Sequence, residues 1–330
     1  MSCQFILQRG KNKGKLCSLK GKMTLNSKFY CTRHYKIQEK QNVLHENTAM
    51  KKEDFNCNGK HSTLPLGNFI VIREIGKGAF GKVVLIQDKN TNKYYAMKIT
   101  SNNVKKEADL LFYEYTLLSQ HFTGTDNFPR LLPKVAKSYK RTQKETYLIL
   151  EYFEETLQQR VLHSNLSEEQ IKSYGIQMLN IIQYIHSKNY LYIDIKPENF
   201  MFKTKEDENI KIIDFGLCQK YVDYRDNHIV SKQLSNPIGT DFYASIRMMG
   251  CIQPGRIDDI ECIGYLLLYL HRGELPWSNA IYSKEIMKMK QDDTTFSSTP
   301  TYIQEFILSS QEHNFDVKPD YDYFKNLLIN

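Results

Sequence analysis

The stretch "FIVIREIGKGAFGKVVLIQDKNTNKYYAMKI", residues 69–99, constrains this chain more than any other. Gly76, Gly78 and Gly81 form a Gly-x-Gly-x-x-Gly turn with β-branched runs on both sides. Glycines there let backbone N–H groups approach phosphate oxygens with no Cβ in the way. The same letters open a dinucleotide-binding unit only where a helix follows directly. Here Val83, Val84, Leu85 and Ile86 continue as strand, so the spacing predicts a hairpin folded over a phosphate group. Asp88 to Asn92 supply turn residues before a third strand that ends at Lys98.

Beyond the strands the pattern changes. "KKEADLLFYEYTLLSQHF" has apolar residues at helical spacing, and "TYLILEYF" reads as a buried strand running into a link. "SEEQIKSYGIQMLNIIQYIHSKN" opens with Ser167 as N-cap, and "DDIECIGYLLLYLHRGELPW" is an apolar helix closed by Gly and Pro. Strands first and helices later predict an α+β architecture of two lobes with a cleft between them. Three zones follow: a Cys-, Lys- and Gly-rich module at 1–36, a polar linker at 37–66, and a folded domain at 67–330.

Of the 330 residues 41% are hydrophobic, enough for a sizeable core, and no apolar run reaches eighteen residues. The start "MSCQFILQRGKNKGK" puts its basic residues after a short apolar stretch, the reverse of a signal peptide. A soluble intracellular protein without a membrane partner is expected. The net charge of +8 favours polyanionic partners, although ordinary Lys-rich composition explains it equally well. Seven cysteines with no secretory signal argue against a disulfide framework.

The chemistry-bearing residues come in a fixed order. Lys98 in "YAMK" offers an ammonium to α- and β-phosphates, and Glu114 in the next helix can pair with it. "YIDIKPEN" sets Asp194, Lys196 and Asn199 at offsets 0, 2 and 5. "NIKIID" then delivers Asp214, followed by Phe215 and Gly216, where a carboxylate can reach Mg²⁺. Phosphoryl transfer needs positioning and charge neutralisation more than covalent chemistry, and these residue types supply both. Each motif alone can be structural; the full set in order argues against that.

Residues 67–330 resemble a eukaryotic-type protein kinase domain, and within it the casein kinase 1 group, which also contains the vaccinia-related kinases. The resemblance rests on "YIHSKN", "DFGLCQKYVDYRDNHI", "GTDFYASIRMMG", "RIDDIECIGYLLLYLHRGELPW" and "KPDYDYFKNLL". It implies a serine/threonine protein kinase that uses ATP and Mg²⁺ and acts on protein substrates; a monomer is expected, although no residue pattern in the sequence decides the oligomeric state. Asp194 matches the catalytic base and Lys196 the lysine that neutralises the γ-phosphate. Asn199 and Asp214 match the Mg²⁺ ligands, Lys98 the phosphate-binding lysine, and Glu114 its helix partner, with Glu107 as the rival. Ile75, Gly76, Lys77, Gly78, Ala79, Phe80, Gly81 and Val83 match the nucleotide flap. Leu150 falls at the gatekeeper position, so Glu151 and Phe153 are expected to offer backbone groups to adenine. Asp259 matches the aspartate that braces the catalytic loop.

This chain departs from the family where His-Arg usually precedes the catalytic Asp: it has Tyr192 and Ile193. Ile193 cannot grip a phosphate on the activation loop, so that switch is expected to be absent, and the Tyr192 ring is expected to fill the place of the His by packing. Lys196 and the segment leading to Thr240 imply Ser/Thr acceptors. Lys220, Arg225 and Lys232 are candidates for binding acidic or already phosphorylated substrates, or are simply solvated charges. Ser231, Ser235 and Thr240 are candidate autophosphorylation sites. The competing class is a catalytically silent kinase fold that acts as a scaffold; lipid or small-molecule phosphorylation fits the loop motifs less well.

At the N-terminus Cys3, Cys17, Cys31 and His34 suit tetrahedral Zn²⁺, with Cys57 as an alternative ligand and free intracellular thiols as the competing explanation. The segment resembles short Cys/His modules on proteins of large DNA viruses. With the Lys/Asn/Ile-rich composition, that suggests a viral source and a location in host cytoplasm or virions. The module's basic loops would bind nucleic acid or dock a protein partner, and Phe29, Tyr30 and Tyr35 are stacking or core residues.

Overall fold

The computed structural model describes residues 23–25, 28–30, 68–78, 81–101, 105–132, 139–142 and 145–329. The chain divides into two units, Met1–Pro65 and Leu66–Asn330. In the first, strands β1 (Met23–Leu25) and β2 (Lys28–Tyr30) pair antiparallel, with Met23 opposite Tyr30. The sequence pattern held no strand signal there.

The second unit begins with β3 (Phe69–Gly78), β4 (Gly81–Asp88), β5 (Tyr94–Ser101), β6 (Tyr139–Arg141) and β7 (Glu145–Glu151). They form one antiparallel sheet in the order β3-β4-β5-β7-β6. β7 is buried along its whole interior, Thr146 to Leu150, as suits an apolar run between two neighbours. β5 runs past Lys98 to Ser101, further than its sequence pattern predicts. β6 pairs only with β7 and reads "YKR", too short and polar to stand out in the sequence. Helix α1 (Lys105–Thr116) packs on β5 and β7, then passes into a π-helical turn at Leu117–His121, where the sequence predicts continued α-helix.

The remainder is mostly helical: α2 (Leu157–His163), α3 (Glu168–Ser187), α4 (Ile246–Met249), α5 (Arg256–Arg272), α6 (Ser283–Lys290), α7 (Thr301–Gln311) and α8 (Tyr321–Ile329). Ser167 caps α3 by accepting the Gln170 N–H while the Gln170 side chain accepts the Ser167 N–H, an exchange worth ~1 kcal/mol. From Ile257 to Leu270, α5 is buried on every side, as an apolar helix must be at the centre of a lobe. It packs against α3 and α7 and stops at Gly273, whose left-handed φ of +71° favours a residue without a Cβ. The antiparallel sheet followed by a helical body is a two-lobe α+β fold.

Short strands set the loops of interest. β8 (Glu155–Thr156), β10 (Phe200–Phe202) and β11 (Lys211–Ile212) form one small sheet; β9 (Tyr190–Leu191) pairs with β12 (Gln219–Lys220) in another. Residues 192–199 therefore leave β9 and return into β10. Asp214 lies just past β11.

Candidate active site

The flap hairpin pairs Gly76 with Val83 and Gly78 with Gly81; Ala79 and Phe80 lie outside the described residues. Gly81 has φ +113°, and a Cβ there would sit 2.1 Å from the Ile99 carbonyl oxygen, so the fold itself requires glycine. Gly76 is different: a Cβ would meet only the Val83 side chain, at 3.8 Å and 3.9 Å. Its missing side chain leaves room for a ligand rather than relieving a clash. Ile75 and Val83 are half-buried, and Lys77 is exposed.

Lys98 on β5 reaches α1. Its Nζ donates to Glu114 Oε1 and Oε2 at 2.7 Å and 2.8 Å, and to Asp214 Oδ1 at 3.4 Å. Burial alone would lower the Lys98 pKa, but the Asp214 and Glu114 carboxylates outweigh it and hold the ammonium above its usual range. Burial pushes the Glu114 carboxyl up, against the pull of Lys98. Asp214 is half-buried, which would raise its carboxyl, yet Lys98 and then Lys196 bring it below the ordinary aspartate value. One ammonium is thus shared between two anions from two lobes. Of the two glutamates weighed for this contact, Glu114 makes it; the Glu107 side chain lies outside the described residues.

Asp194 has three side chains on its carboxylate. Lys196 Nζ donates to Oδ2 at 2.5 Å, Asn199 Nδ2 donates to the same oxygen at 2.9 Å, and Thr240 Oγ1 donates to Oδ1 at 2.8 Å. Asn199 Nδ2 also reaches the Asp194 carbonyl oxygen at 2.8 Å. Its amide nitrogen is therefore spent inside the loop, and its oxygen is the atom left to face a ligand. The Thr240 contact was not expected from sequence, because nothing in "GTDFYASIR" says that a segment forty-six residues away folds back onto Asp194.

Beneath this loop the backbone is strained. Ile193 has φ +74°, a left-handed conformation that costs a β-branched residue ~1–2 kcal/mol. It is held by Asp259 on α5, whose Oδ2 accepts the Tyr192 N–H and whose Oδ1 accepts the Ile193 N–H, both at 2.8 Å. His186 on α3 stands behind, with Nε2 2.9 Å from Asp259 Oδ2 and Nδ1 2.7 Å from Tyr321 Oη. Tyr192 does more than pack. Its hydroxyl donates to the Ile213 carbonyl at 2.6 Å and its ring meets Phe215 edge-on, which ties the Asp194 loop to the backbone just before Asp214.

Leu150 is buried at the end of β7. The Glu151 N–H donates to the Arg130 carbonyl and the Glu154 N–H to the Phe202 carbonyl, both at 3.0 Å, which fixes the link through Phe153 at both ends. Lys220, Arg225 and Lys232 are all exposed. The expected zinc ligands Cys3, Cys17, Cys31 and His34, with Cys57, lie outside the described residues. Among the described residues no helix is long and apolar enough to cross a membrane.

Residues 69–317 match the family model of the protein kinase domain. The chain belongs to the protein kinase family. Among curated proteins, this kinase is 30% identical over 273 residues to a probable casein kinase I homolog of Encephalitozoon cuniculi (strain GB-M1), an alignment that covers 79% of this chain and 84% of that protein. A kinase domain implies ATP, Mg²⁺ and a protein substrate. The donor set fits Mg²⁺, because the Asp214 carboxylate and the Asn199 amide oxygen are hard oxygens beside the Lys98 and Lys196 ammonium groups that phosphates need. So few protein oxygens suit an ion that is bound largely through substrate phosphates.

Proposed function

We propose that the chain is a serine/threonine protein kinase of the casein kinase 1 type, which transfers the ATP γ-phosphate to protein hydroxyls with Asp194 as the base. The observation that carries this is the grip on Asp194: Lys196, Asn199 and Thr240 orient both carboxylate oxygens while Lys98, Glu114 and Asp214 form a second charged cluster beside the flap.

In this mechanism Lys98 binds the α- and β-phosphates, and Glu114 keeps its ammonium aimed at them. Gly76 and Gly81 let the flap backbone close over the nucleotide, with Ile75 and Val83 bordering the base. Glu151 and Phe153 offer backbone groups to adenine. Asn199 and Asp214 would hold Mg²⁺, which neutralises charge on the phosphoryl group when bound. The substrate hydroxyl loses its proton to Asp194 as its oxygen bonds to the γ-phosphorus and the bond from that phosphorus to the β–γ bridging oxygen breaks, with ADP leaving. Lys196 offsets the charge on the moving phosphoryl oxygens. Because Ile193 replaces a cation, phosphate on the activation segment does not switch the loop through that position. The exposed Lys220, Arg225 and Lys232 favour acidic or phosphorylated substrates.

The test is transfer of labelled γ-phosphate to casein by the purified chain, beside Asp194→Asn and Lys98→Met. Each substitution is expected to lower kcat by at least about 10³-fold. A parent that binds Mg·ATP and labels nothing would return the chain to the silent-scaffold class. The N-terminal Zn²⁺ site is a separate proposal that rests on sequence alone; equimolar zinc in the purified chain, lost on Cys17→Ser with Cys31→Ser, is the expected result.

A further inference from the structure

One buried cation has no part in the chemistry above. Lys290, the last residue of α6, is wholly buried (0% exposed). Its Nζ donates to the Asp241 carbonyl at 2.9 Å and to the Ala244 carbonyl at 2.6 Å, and lies 4.4 Å and 5.0 Å from the ring centres of Tyr265 and Trp277. These carbonyls bracket Phe242 and Tyr243, immediately after Thr240, whose hydroxyl is on Asp194. The same short segment is pinned twice more: Trp277 Nε1 donates to the Phe242 carbonyl at 2.9 Å, and Ser283 Oγ donates to Asp241 Oδ2 at 2.5 Å. An ammonium is an expensive group to bury. In a purely structural position an apolar side chain would fill the same volume at lower cost.

We propose that Lys290 is a positioning residue for the substrate: it holds loop 240–244 from beneath, so that Thr240 stays on Asp194 and the surface facing the acceptor peptide keeps its shape. This rests on the kinase reading of the site. Lys290 touches neither ATP nor the reacting atoms, so its loss should be felt through the protein substrate and not through the nucleotide. Both carbonyls need only N–H donors, so a neutral side chain that carries two N–H bonds can stand in for part of the ammonium's function.

The experiment uses the full chain, with initial rates at varied casein and at varied ATP, for the parent, Lys290→Met and Lys290→Gln. Lys290→Met is expected to lower kcat/KM for casein by about ten-fold or more while KM for ATP moves by less than about two-fold; Lys290→Gln should recover at least about a third of the parent value. Equal deterioration toward casein and ATP, or a Lys290→Met protein within about two-fold of the parent in both, overturns the proposal. Where Lys290→Met fails to bind Mg·ATP and so has not folded, Lys290→Gln decides. A folded Lys290→Gln protein within about three-fold of the parent toward casein supports the donor role, and one that is unfolded or down by more than about ten-fold toward casein overturns it. A parent that transfers no phosphate removes the kinase reading and this proposal together, whereas an active parent with indifferent variants removes only this one.

Discussion

Two loops meet at Asp194, and each is held from below by a buried ion of opposite sign. Residues 192–193 hang by their N–H groups from the Asp259 carboxylate, while residues 241–244 hang by their carbonyls from the Lys290 ammonium. An anion can gather backbone donors and a cation backbone acceptors, so the sign of the buried charge dictates which side of the peptide faces inward. The two anchors also differ in stress. Asp259 holds a strained conformation at Ile193, whereas none of residues 241–244 has a positive φ. Losing the first anchor should therefore release stored strain, and losing the second should only free the loop.

The sharpest way to break this comparison is Asp259→Asn. An amide has one acceptor where the carboxylate offers two, so one buried N–H of Tyr192 or Ile193 loses its partner and the side-chain NH₂ is brought against a donor. A stability loss of ~3 kcal/mol is expected, with kcat down roughly 10²-fold because Asp194 shifts with the loop. Chemical denaturation read beside casein turnover checks both. A variant with parental stability and rate would show that Ile193 is held by its surroundings and not by Asp259.

The second anchor should announce its sign through pH. Burial pulls the Lys290 pKa down from 10.5 to about 7, so the fold keeps the ammonium near neutral pH only at a cost, and the unfolded chain binds more protons between those values. Stability from this group is present above pH 10.5 and lost as pH falls toward 7. The wild-type melting temperature should therefore rise relative to that of Lys290→Met as pH is raised from 7 toward 9.5, by at most ~1.4 kcal/mol of stability per pH unit. Parallel melting curves across that range would mean that Lys290 stays charged within the fold.

The sequence made the first anchor legible and hid the second. Lys98, Glu114, Asp194, Asn199 and Asp214 could be read because phosphoryl transfer demands those residue types in that order, and Asp259 came with the family pattern. Lys290 sits in "KEIMKMKQ", where a lysine near a helix end looks like any solvated charge; only the tertiary fold shows that α6 turns it inward. Tyr192 looked like a packing replacement for His, since a hydroxyl's partner twenty-one residues away leaves no trace in local spacing. Strand β6 and the π-helical turn at Leu117–His121 escaped for a related reason: both are set by neighbours in space and carry no periodic signal of their own.

Tyr192 offers a milder way to sharpen the comparison, because its hydroxyl ties the strained loop to the backbone before Asp214 rather than to α5. Tyr192→Phe keeps the ring against Phe215 and strips one donor from the Ile213 carbonyl. A loss of ~1 kcal/mol is expected, with kcat down about three-fold to ten-fold. If Tyr192→Phe matches Asp259→Asn in severity, the loop is held as much through Asp214 as through α5.

The flap provides the smallest effect and the clearest contrast, since Gly76 is glycine for a reason that the resting fold does not impose. A Cβ there would rest at ordinary contact distance from Val83, so Gly76→Ala should fold as well as the parent. A gain of a few tenths of a kcal/mol is expected from a less flexible unfolded chain. The methyl group would, however, stand where a phosphate is to approach, so KM for ATP should rise by about three-fold to ten-fold with kcat/KM for casein at saturating ATP little changed. That pattern is the converse of the one expected for Lys290→Met. Together the two variants separate the residues that shape the nucleotide site from those that shape the acceptor site, and a Gly76→Ala protein with unaltered ATP kinetics would place the phosphates elsewhere along the hairpin.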